Sequence, residues 1–157
     1  MAEIEFVKPE RWMLESIAND MRPADILEIW VARKVTPLEA LVDGWAKSHY
    51  STVAMCDGEP LVMYGLVKGD ILSGHGVVWM LGANSSLKYK RQFFIQTPPV
   101  IEQMLNICSK LYNMVHSKHT ESIRWLEWLG FTIEDPQPHG PYNELFHKFH
   151  IERSVNV

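Results

Sequence analysis

The chain has 157 residues, a formal net charge of −4, 46% hydrophobic residues and 22% charged residues. A chain of this length can bury about two thirds of its unfolded surface in one core, so we expect residues 1–157 to form a single domain. Domains that bind nucleic acids are usually strongly basic, and the negative net charge argues against such binding. No run approaches the roughly 18 apolar residues that a membrane helix requires, which favours a cytoplasmic protein.

The first third of the chain predicts a short strand followed by three helices. Hydrophobic residues recur at helical spacing in the runs that we assign to helices. The third helix has the clearest start, because Thr36 can cap it, Pro37 fits its first turn and Glu39 completes a capping box. The predicted ranges are 4–7 for the strand and 11–20, 24–33 and 36–48 for the helices.

The rest of the chain predicts three strands in a meander and then alternating helices and strands. Asp57-Gly58 supplies the first hairpin turn, and Thr97-Pro98-Pro99 opens a helix because proline fits a first turn. Gly130 can end the last helix, and we expect the proline-rich residues 134–141 to form a loop. The predicted strands are 52–56, 61–67, 75–81, 112–116, 131–133 and 145–150, and the predicted helices are 97–110 and 119–129.

This element order predicts an α/β fold with a mixed, mostly antiparallel sheet of about six or seven strands and helices on both faces.

The chain from His119 to Phe131 resembles the GNAT superfamily of N-acetyltransferases. Members commonly have Asn-Thr-x-Ala-x-x-Leu-Tyr-Glu-Lys-Leu-Gly-Phe in their last helix and the strand that follows. The positions that match are Thr120, Glu127, Leu129, Gly130 and Phe131. The resemblance implies a GNAT-like domain.

Four spaced motifs resemble a narrower group, the small internal virion or virion-assembly proteins of short-tailed phages. The motifs are Val77-Val78-Trp79-Met80-Leu81-Gly82, Arg91-Gln92-Phe93-Phe94, Ile123 to Phe131, and His139-Gly140-Pro141 with Phe146-His147-Lys148-Phe149. This resemblance implies a bacteriophage protein that acts in virion assembly, or as an internal virion protein, through contacts with virion or host proteins. It places the protein in the host cytoplasm during infection or in the virion.

The GNAT resemblance also implies a site for acetyl-CoA, whose pyrophosphate is held by backbone N–H groups of a glycine-rich loop before a helix. We assign that loop to residues 91–100, which contain no glycine, and Pro98-Pro99 removes two N–H donors. The chain therefore binds either no cofactor or an acetyl-CoA held by side chains. The cofactor-binding candidates are Leu81, Lys88, Lys90, Arg91 and Val100.

The proton-transfer groups of GNAT enzymes are replaced in this sequence. Leu126 stands at the position of the frequent tyrosine acid, and His119 stands at the asparagine position. The strand that often carries a glutamate base is apolar here, and His75 at its start is the nearest titratable group. Histidine titrates near neutral pH, so His75 and His119 are the catalytic candidates, with a structural histidine at the sheet edge as the alternative for His75.

Two functions remain open at this point. The first is a phage protein of GNAT-like fold that acts in virion morphogenesis without standard acyl-transfer machinery. The second is an acetyl-CoA-dependent N-acetyltransferase with a divergent cofactor site, which modifies a protein or a small amine. The spacing of the seven histidines and two cysteines predicts no metal site.

Overall fold

The computed structural model describes residues 3–70 and 72–154, which form a seven-stranded sheet with five α-helices around it. The elements in chain order are β1 (Glu5–Val7), α1 (Arg11–Asn19), α2 (Pro23–Arg33), α3 (Pro37–Lys47), β2 (Tyr50–Cys56), β3 (Glu59–Lys68), β4 (His75–Gly82), α4 (Lys90–Ile107), β5 (Lys110–His116), α5 (Thr120–Trp128), β6 (Thr132–His139) and β7 (Glu144–Glu152). A 3₁₀ turn, Asn84–Tyr89, joins β4 to α4. None of the described helices has the length and apolar character needed to cross a bilayer.

The strands lie in the order β1-β2-β3-β4-β5-β7-β6. Every neighbouring pair is antiparallel except β4 and β5, which are parallel. The predicted fold class, a mixed and mostly antiparallel sheet with helices on both faces, is therefore confirmed. The parallel pairing ends at Val77 and Tyr112, after three residue pairs, so the two strands separate toward their C-terminal ends. This separation leaves a gap in the middle of the sheet.

Each face of the sheet has its own hydrophobic core, because successive strand residues point to opposite faces. On one face, Tyr64 and Leu66 of β3 belong to a core that also contains buried residues of α4. On the other face, Met63 of β3 packs with buried residues of α1 and α3. Helices α1–α3 thus cover one face of the sheet, and α4 covers the opposite face.

Helix α3 begins as the sequence predicts and is fixed to the sheet by one tryptophan. The Thr36 side chain accepts the backbone N–H of Glu39, and the Thr36 backbone N–H donates to Glu39 Oε1 at 3.2 Å, which confirms the capping box. The Trp79 ring lies against Gly44 of α3 and Gly65 of β3, where an added Cβ would approach it to 2.7 and 2.1 Å. Only glycine at both positions leaves space for the indole between helix and strand.

The prediction that Thr97-Pro98-Pro99 opens a helix is wrong, because α4 begins at Lys90 and contains both prolines. A proline inside a helix removes a hydrogen bond to the carbonyl four residues earlier, here those of Phe94 and Ile95. Both residues are exposed, so water can satisfy their carbonyl groups. The helix therefore tolerates the two prolines.

The prediction of a loop over residues 134–141 is also wrong. Most of this segment belongs to β6, which pairs only with β7 at the end of the sheet. Proline cannot donate to a strand ladder, but an edge strand leaves one row of N–H groups unused. Pro136 and Pro138 are compatible with that position, and the pairing register shifts between Ile133 and Pro136.

Candidate active site

The gap between β4 and β5 is held open by the side chain of Asn113. Its Nδ2 donates to the carbonyl oxygen of Val78 at 2.7 Å, and its Oδ1 accepts the backbone N–H of Met114 at 2.7 Å. The side-chain amide thus takes the place of the next backbone hydrogen bonds between the strands. Beyond it, the peptide group of Met80 lies on the same edge of β4 and has no paired strand opposite. The Met80 N–H is therefore a donor that faces the gap.

Two carboxylates of helix α2 close the far end of the gap. Asp25 Oδ2 accepts the backbone N–H of Gly82 at the end of β4, at 3.0 Å. Glu28 Oε2 accepts the backbone N–H of His116 at the end of β5, at 2.9 Å. One turn of α2 therefore satisfies a backbone donor on each of the two separated strands, which fixes the helix across the gap.

Asp25 is the centre of a buried polar network. It accepts hydrogen bonds from Arg22 Nη2 at 2.8 Å, and its Oδ1 lies 3.0 Å from His119 Nε2. The Ser122 hydroxyl lies 3.0 Å from the same Nε2 atom. In a Ser-His-Asp triad the serine and the carboxylate contact different ring nitrogens, so this geometry does not activate Ser122 as a nucleophile. We interpret the network as structural.

The two carboxylates of α2 have opposite pKa shifts. Burial favours a raised pKa for Asp25, but the hydrogen bond with His119, the charge of Arg22 and the Gly82 N–H together hold its pKa below the ordinary value. Burial raises the pKa of Glu28 to about 7, although the His116 N–H acts in the opposite direction. Glu28 can therefore exchange a proton near neutral pH, whereas Asp25 stays ionised.

Two cavities approach the gap from the two faces of the sheet. The first, which we call the α4–α5 cavity, has a volume of about 480 Å³ and lies between Phe93 of α4 and residues of α5. The second, the α2–α3 cavity, has a volume of about 300 Å³ and is lined by Glu28 together with residues of α3. Met80, Ser122 and Trp125 line both cavities. The cavities therefore share a wall at the gap between β4 and β5.

Aromatic rings form the outer wall of the α4–α5 cavity. Trp125 and Trp128 stack with their ring centroids 5.6 Å apart, and Phe94 meets both rings edge-on at 4.8 and 4.7 Å. The indole N–H of Trp125 is buried without a hydrogen-bond partner among the described residues. Trp128 is 53% exposed, so the wall reaches the protein surface.

The structure does not bring the two predicted catalytic histidines together. His75 starts β4 opposite Lys110, at the closed end of the parallel pair. His119 precedes α5 beyond the opposite, open end, and it is buried against Asp25. A joint role in proton transfer therefore has no geometric basis.

The structure does not bring the five predicted cofactor-binding residues together in one site. Lys90 lines the α4–α5 cavity, whereas Leu81 lines the α2–α3 cavity on the other face. Val100 is buried in the core under α4, and Lys88 and Arg91 are exposed residues outside both cavity walls. Of the five predicted residues, Lys90 alone contributes to the α4–α5 cavity.

The prediction that residues 91–100 form the loop before the helix is wrong, because these residues lie inside α4. The segment that leads into α4 is Asn84–Tyr89, which follows β4. Asp20 occupies the start of this segment: its side chain accepts hydrogen bonds from Asn84 Nδ2 at 3.2 Å and from the Ser85 N–H at 3.3 Å. An isolated β-bridge between Met21 and Ala83 adds to this contact. The backbone donors that could bind an anion here are therefore partly satisfied by the protein itself.

Sequence reasoning missed Asp25 and Glu28, which the structure places at the gap. The available signal was a pair of carboxylates three residues apart in a run that is otherwise mainly apolar, 24–33. Such residues lie on one face of a helix, and a charge on an apolar face needs a partner. Arg124, which lines the α4–α5 cavity, was missed as well.

The fold superposes on those of known acetyltransferases. The spermidine N-acetyltransferase of Vibrio cholerae, solved with CoA and spermine, superposes with a TM-score of 0.71 at 13% identity, over 96% of this chain and 95% of that one. The ribosomal-protein-S18-alanine N-acetyltransferase of Escherichia coli superposes with a TM-score of 0.67 at 11% identity, over 100% and 97%. A Bacillus subtilis acetyltransferase in complex with CoA gives 0.66 at 11%, over 98% and 100%.

The chain has the GNAT fold. At these levels of identity the superpositions show the fold alone. No model of a protein family matches the sequence, and no curated protein matches it either. The similar structures named above are acetyltransferases, and they do not support the resemblance to internal virion proteins of phages.

The α4–α5 cavity fits the acyl-pantetheine part of a coenzyme A thioester. It is mainly apolar, it reaches the Met80 edge of the gap, and the side chains of Lys90 and Arg124 line it. At the segment before α4, the Asp20 carboxylate already accepts the backbone N–H of Ser85, so this donor is not free to bind a phosphate. The phosphates would therefore be held by Lys90 and Arg124. Within residues 3–70 and 72–154, no group of three or more His, Cys, Asp or Glu side chains could hold a metal ion.

Proposed function

We propose that the protein is an N-acyltransferase that transfers an acyl group from a coenzyme A thioester to an amine. The observation that carries this proposal is the pair of cavities on opposite faces of the sheet that share Met80, Ser122 and Trp125 at the gap. Such an arrangement lets two substrates approach one point from two sides, which is what a direct transfer requires. The GNAT fold and its CoA-bound relatives support the same function.

The α4–α5 cavity is the donor side in this proposal. Bound acetyl-CoA would supply the acyl group as a thioester. Lys90 and Arg124 provide positive charge for its phosphates, and the Met80 N–H faces the gap as a donor for a carbonyl oxygen. The aromatic wall of Phe94, Trp125 and Trp128 gives this side of the gap an apolar surface.

The α2–α3 cavity is the acceptor side, and Glu28 is its proton acceptor. The acceptor nitrogen bonds to the acyl carbon while the carbon–sulfur bond breaks, and sulfur keeps that electron pair. The proton that the nitrogen loses goes to the Glu28 carboxylate and finally to the departing thiolate, so that the products are an amide and a thiol. A pKa of about 7 suits this task, because the group can both accept and release a proton near neutral pH.

A role in virion assembly has no supporting observation among the structural relatives. The acyltransferase proposal is carried by the geometry of the gap and by the fold. The two functions differ in one directly measurable property, which is the binding of coenzyme A.

The deciding experiment measures CoA and acetyl-CoA binding to the purified chain by calorimetry and by thermal shift. A ligand that binds only the folded protein adds about 2.7 kcal/mol of stability at 100 times its dissociation constant. We expect saturable binding of both ligands and the release of free thiol when acetyl-CoA and an amine are present together. The absence of any thermal shift at millimolar acetyl-CoA would overturn the proposal.

A matched variant separates binding from transfer. Glu28→Gln keeps a side-chain oxygen that can accept the His116 N–H but removes the proton acceptor. We expect this variant to bind CoA like the wild type and to release thiol at least about tenfold more slowly, since general bases typically contribute 10²–10⁴-fold. Equal transfer rates in the two proteins would remove Glu28 from the reaction while leaving the transferase proposal standing.

A further inference from the structure

The walls of the α2–α3 cavity indicate which amines it accepts, an inference that rests on the function proposed above. Near the gap most of the lining is apolar and includes Trp79, Met80, Val115, Leu126 and Phe146. The uncharged polar side chains of Asn113 and Ser122 also line the cavity, and Asn113 already bonds to the backbone of Val78 and Met114. A volume of about 300 Å³ lies at the lower end of the range of about 300–1,000 Å³ that small-molecule sites occupy. The cavity therefore suits a small and largely apolar body.

The charged groups of this cavity are distributed unevenly. Of the described residues that line it, only Glu28 and Asp43 carry carboxylates. Asp43 is already shared between Arg33, at 3.2 Å, and Lys47, at 3.1 Å, and both of these cations also line the cavity. We call Arg33, Asp43 and Lys47 the outer rim of the cavity. The rim has two positive charges and one negative charge. This leaves Glu28, at the inner end beside His116, as the carboxylate that no cation of the rim contacts.

This charge pattern discriminates between classes of amine. A single amino group beside Glu28 has a hydrogen-bond acceptor there, and the rest of the molecule lies against apolar side chains. A polyamine would place its further ammonium groups either in the mainly apolar part, where the described lining offers no second carboxylate, or beside Arg33 and Lys47, which repel them. Both placements are unfavourable, and the polyamine is excluded by the walls that accept the monoamine.

We propose that the acceptor is a small primary monoamine with an apolar body, such as an arylalkylamine, and that Arg33 and Lys47 act as specificity residues against polyamines. The amino group lies at Glu28 and the apolar body lies against Trp79 and Phe146. This assignment contrasts with the spermidine acetyltransferases that share the fold at 13% identity.

The test compares three acceptors, phenethylamine, spermidine and an alanyl peptide, with two readouts. Calorimetry measures the binding of each amine to the protein without a donor, and thiol release from acetyl-CoA measures transfer. We expect phenethylamine to bind and to have a kcat/KM at least about tenfold above those of spermidine and the peptide. Lys47→Glu reverses a charge at the rim, and we expect it to raise the ratio of kcat/KM for spermidine to kcat/KM for phenethylamine at least about tenfold.

Lys8→Glu is the matched control, because Lys8 is exposed and lies outside both cavities. It makes the same change in net charge, and the preference for phenethylamine should stay as in the wild type. An equal gain for spermidine in both variants would show a general charge effect and would overturn the role of the rim.

The outcomes separate this inference from the function on which it rests. Transfer to spermidine or to the peptide in preference to phenethylamine overturns the acceptor assignment and supports the transferase. Binding of phenethylamine without thiol release for any acceptor overturns the transferase and supports the apolar amine site. If phenethylamine neither binds nor reacts, the acceptor assignment is overturned, and the CoA titration decides the transferase separately.

Discussion

Glu28 Oε2 accepts the backbone N–H of His116 at 2.9 Å, across 88 positions of the sequence. This contact joins α2 to the end of β5 and buries a carboxyl group at the gap in the sheet. Burial raises the pKa of Glu28 from an ordinary value of 4.5 to about 7. The position of this one side chain therefore connects the packing of a helix to the protonation state of the proposed active site.

Stability should depend on pH through Glu28 in a defined window. Between the unfolded pKa near 4.5 and the folded pKa near 7, the folded protein binds the Glu28 proton more tightly than the unfolded chain does. The contribution of this group to stability is therefore present below pH 4.5 and is lost as the pH rises to about 7. Glu28→Gln removes this dependence. Relative to the wild type, we expect the variant to gain up to about 3 kcal/mol between pH 4.5 and pH 8 in urea unfolding.

The exposed Glu127→Gln is the control for this measurement, and its stability should follow the wild type at every pH. The transfer rate offers a second readout. The carboxylate form of Glu28 increases as the pH rises through 7, so the wild-type rate should rise there and the Glu28→Gln rate should not. A Glu28→Gln variant whose stability parallels the wild type from pH 4.5 to pH 8 would contradict the assigned protonation state.

Local signals in the sequence predict most of the fold, and the site depends on contacts that no local signal reports. The capping box at Thr36 is set by neighbouring residues, and it appears in the structure. The contact between Asp25 and His119 joins residues 94 positions apart, and it exists only because α2 crosses the gap. The start of α4 was mispredicted because a proline pair is favourable in a first turn but is also tolerated inside an exposed helix.

Asn113→Ala should destabilise the protein and alter the gap. The substitution removes both side-chain hydrogen bonds and leaves the Val78 carbonyl and the Met114 N–H without partners. An unsatisfied buried backbone group costs about 1–3 kcal/mol, so we expect a loss of about 2 kcal/mol in urea unfolding. Asn106→Ala, on the exposed face of α4, is the control and should change stability by less than about 0.5 kcal/mol. Similar losses in the two variants would contradict a special role for Asn113.

Removing either of two positive charges of the α4–α5 cavity, Lys90 or Arg124, should weaken CoA binding. Lys90→Ala and Arg124→Ala each remove one cation from the cavity wall, and a charged hydrogen bond contributes about 1.5–3 kcal/mol. We therefore expect each variant to bind CoA at least about tenfold more weakly in calorimetry, with a smaller dependence of affinity on salt. Lys88→Ala and Arg91→Ala are the controls, because these neighbouring cations lie outside the cavity walls. Equal losses in all four variants would indicate only a general effect of charge.

Gly140→Ala should disturb the turn that packs against the end of α2 beside the acceptor cavity. Gly140 follows His139, which lines the α2–α3 cavity, and an alanine Cβ would lie 2.5 Å from the Val31 carbonyl oxygen at the end of α2. Its φ of +81° is a further cost for any residue with a side chain. We expect a loss of stability of about 2–4 kcal/mol in urea unfolding and a higher KM for the amine, with CoA affinity unchanged.

Gly58→Ala is the control that separates these two causes. Gly58 has a similar φ of +76° at the turn between β2 and β3, but an added Cβ there meets nothing within 4 Å. Its substitution should therefore lower stability by only about 1–2 kcal/mol, the cost of a left-handed backbone conformation for alanine. The KM for the amine should be unchanged. The difference between the two variants measures the contact between the Gly140 turn and α2. If both variants lose the same stability, close packing of the Gly140 turn against α2 makes no measurable contribution, and the acceptor cavity does not depend on it.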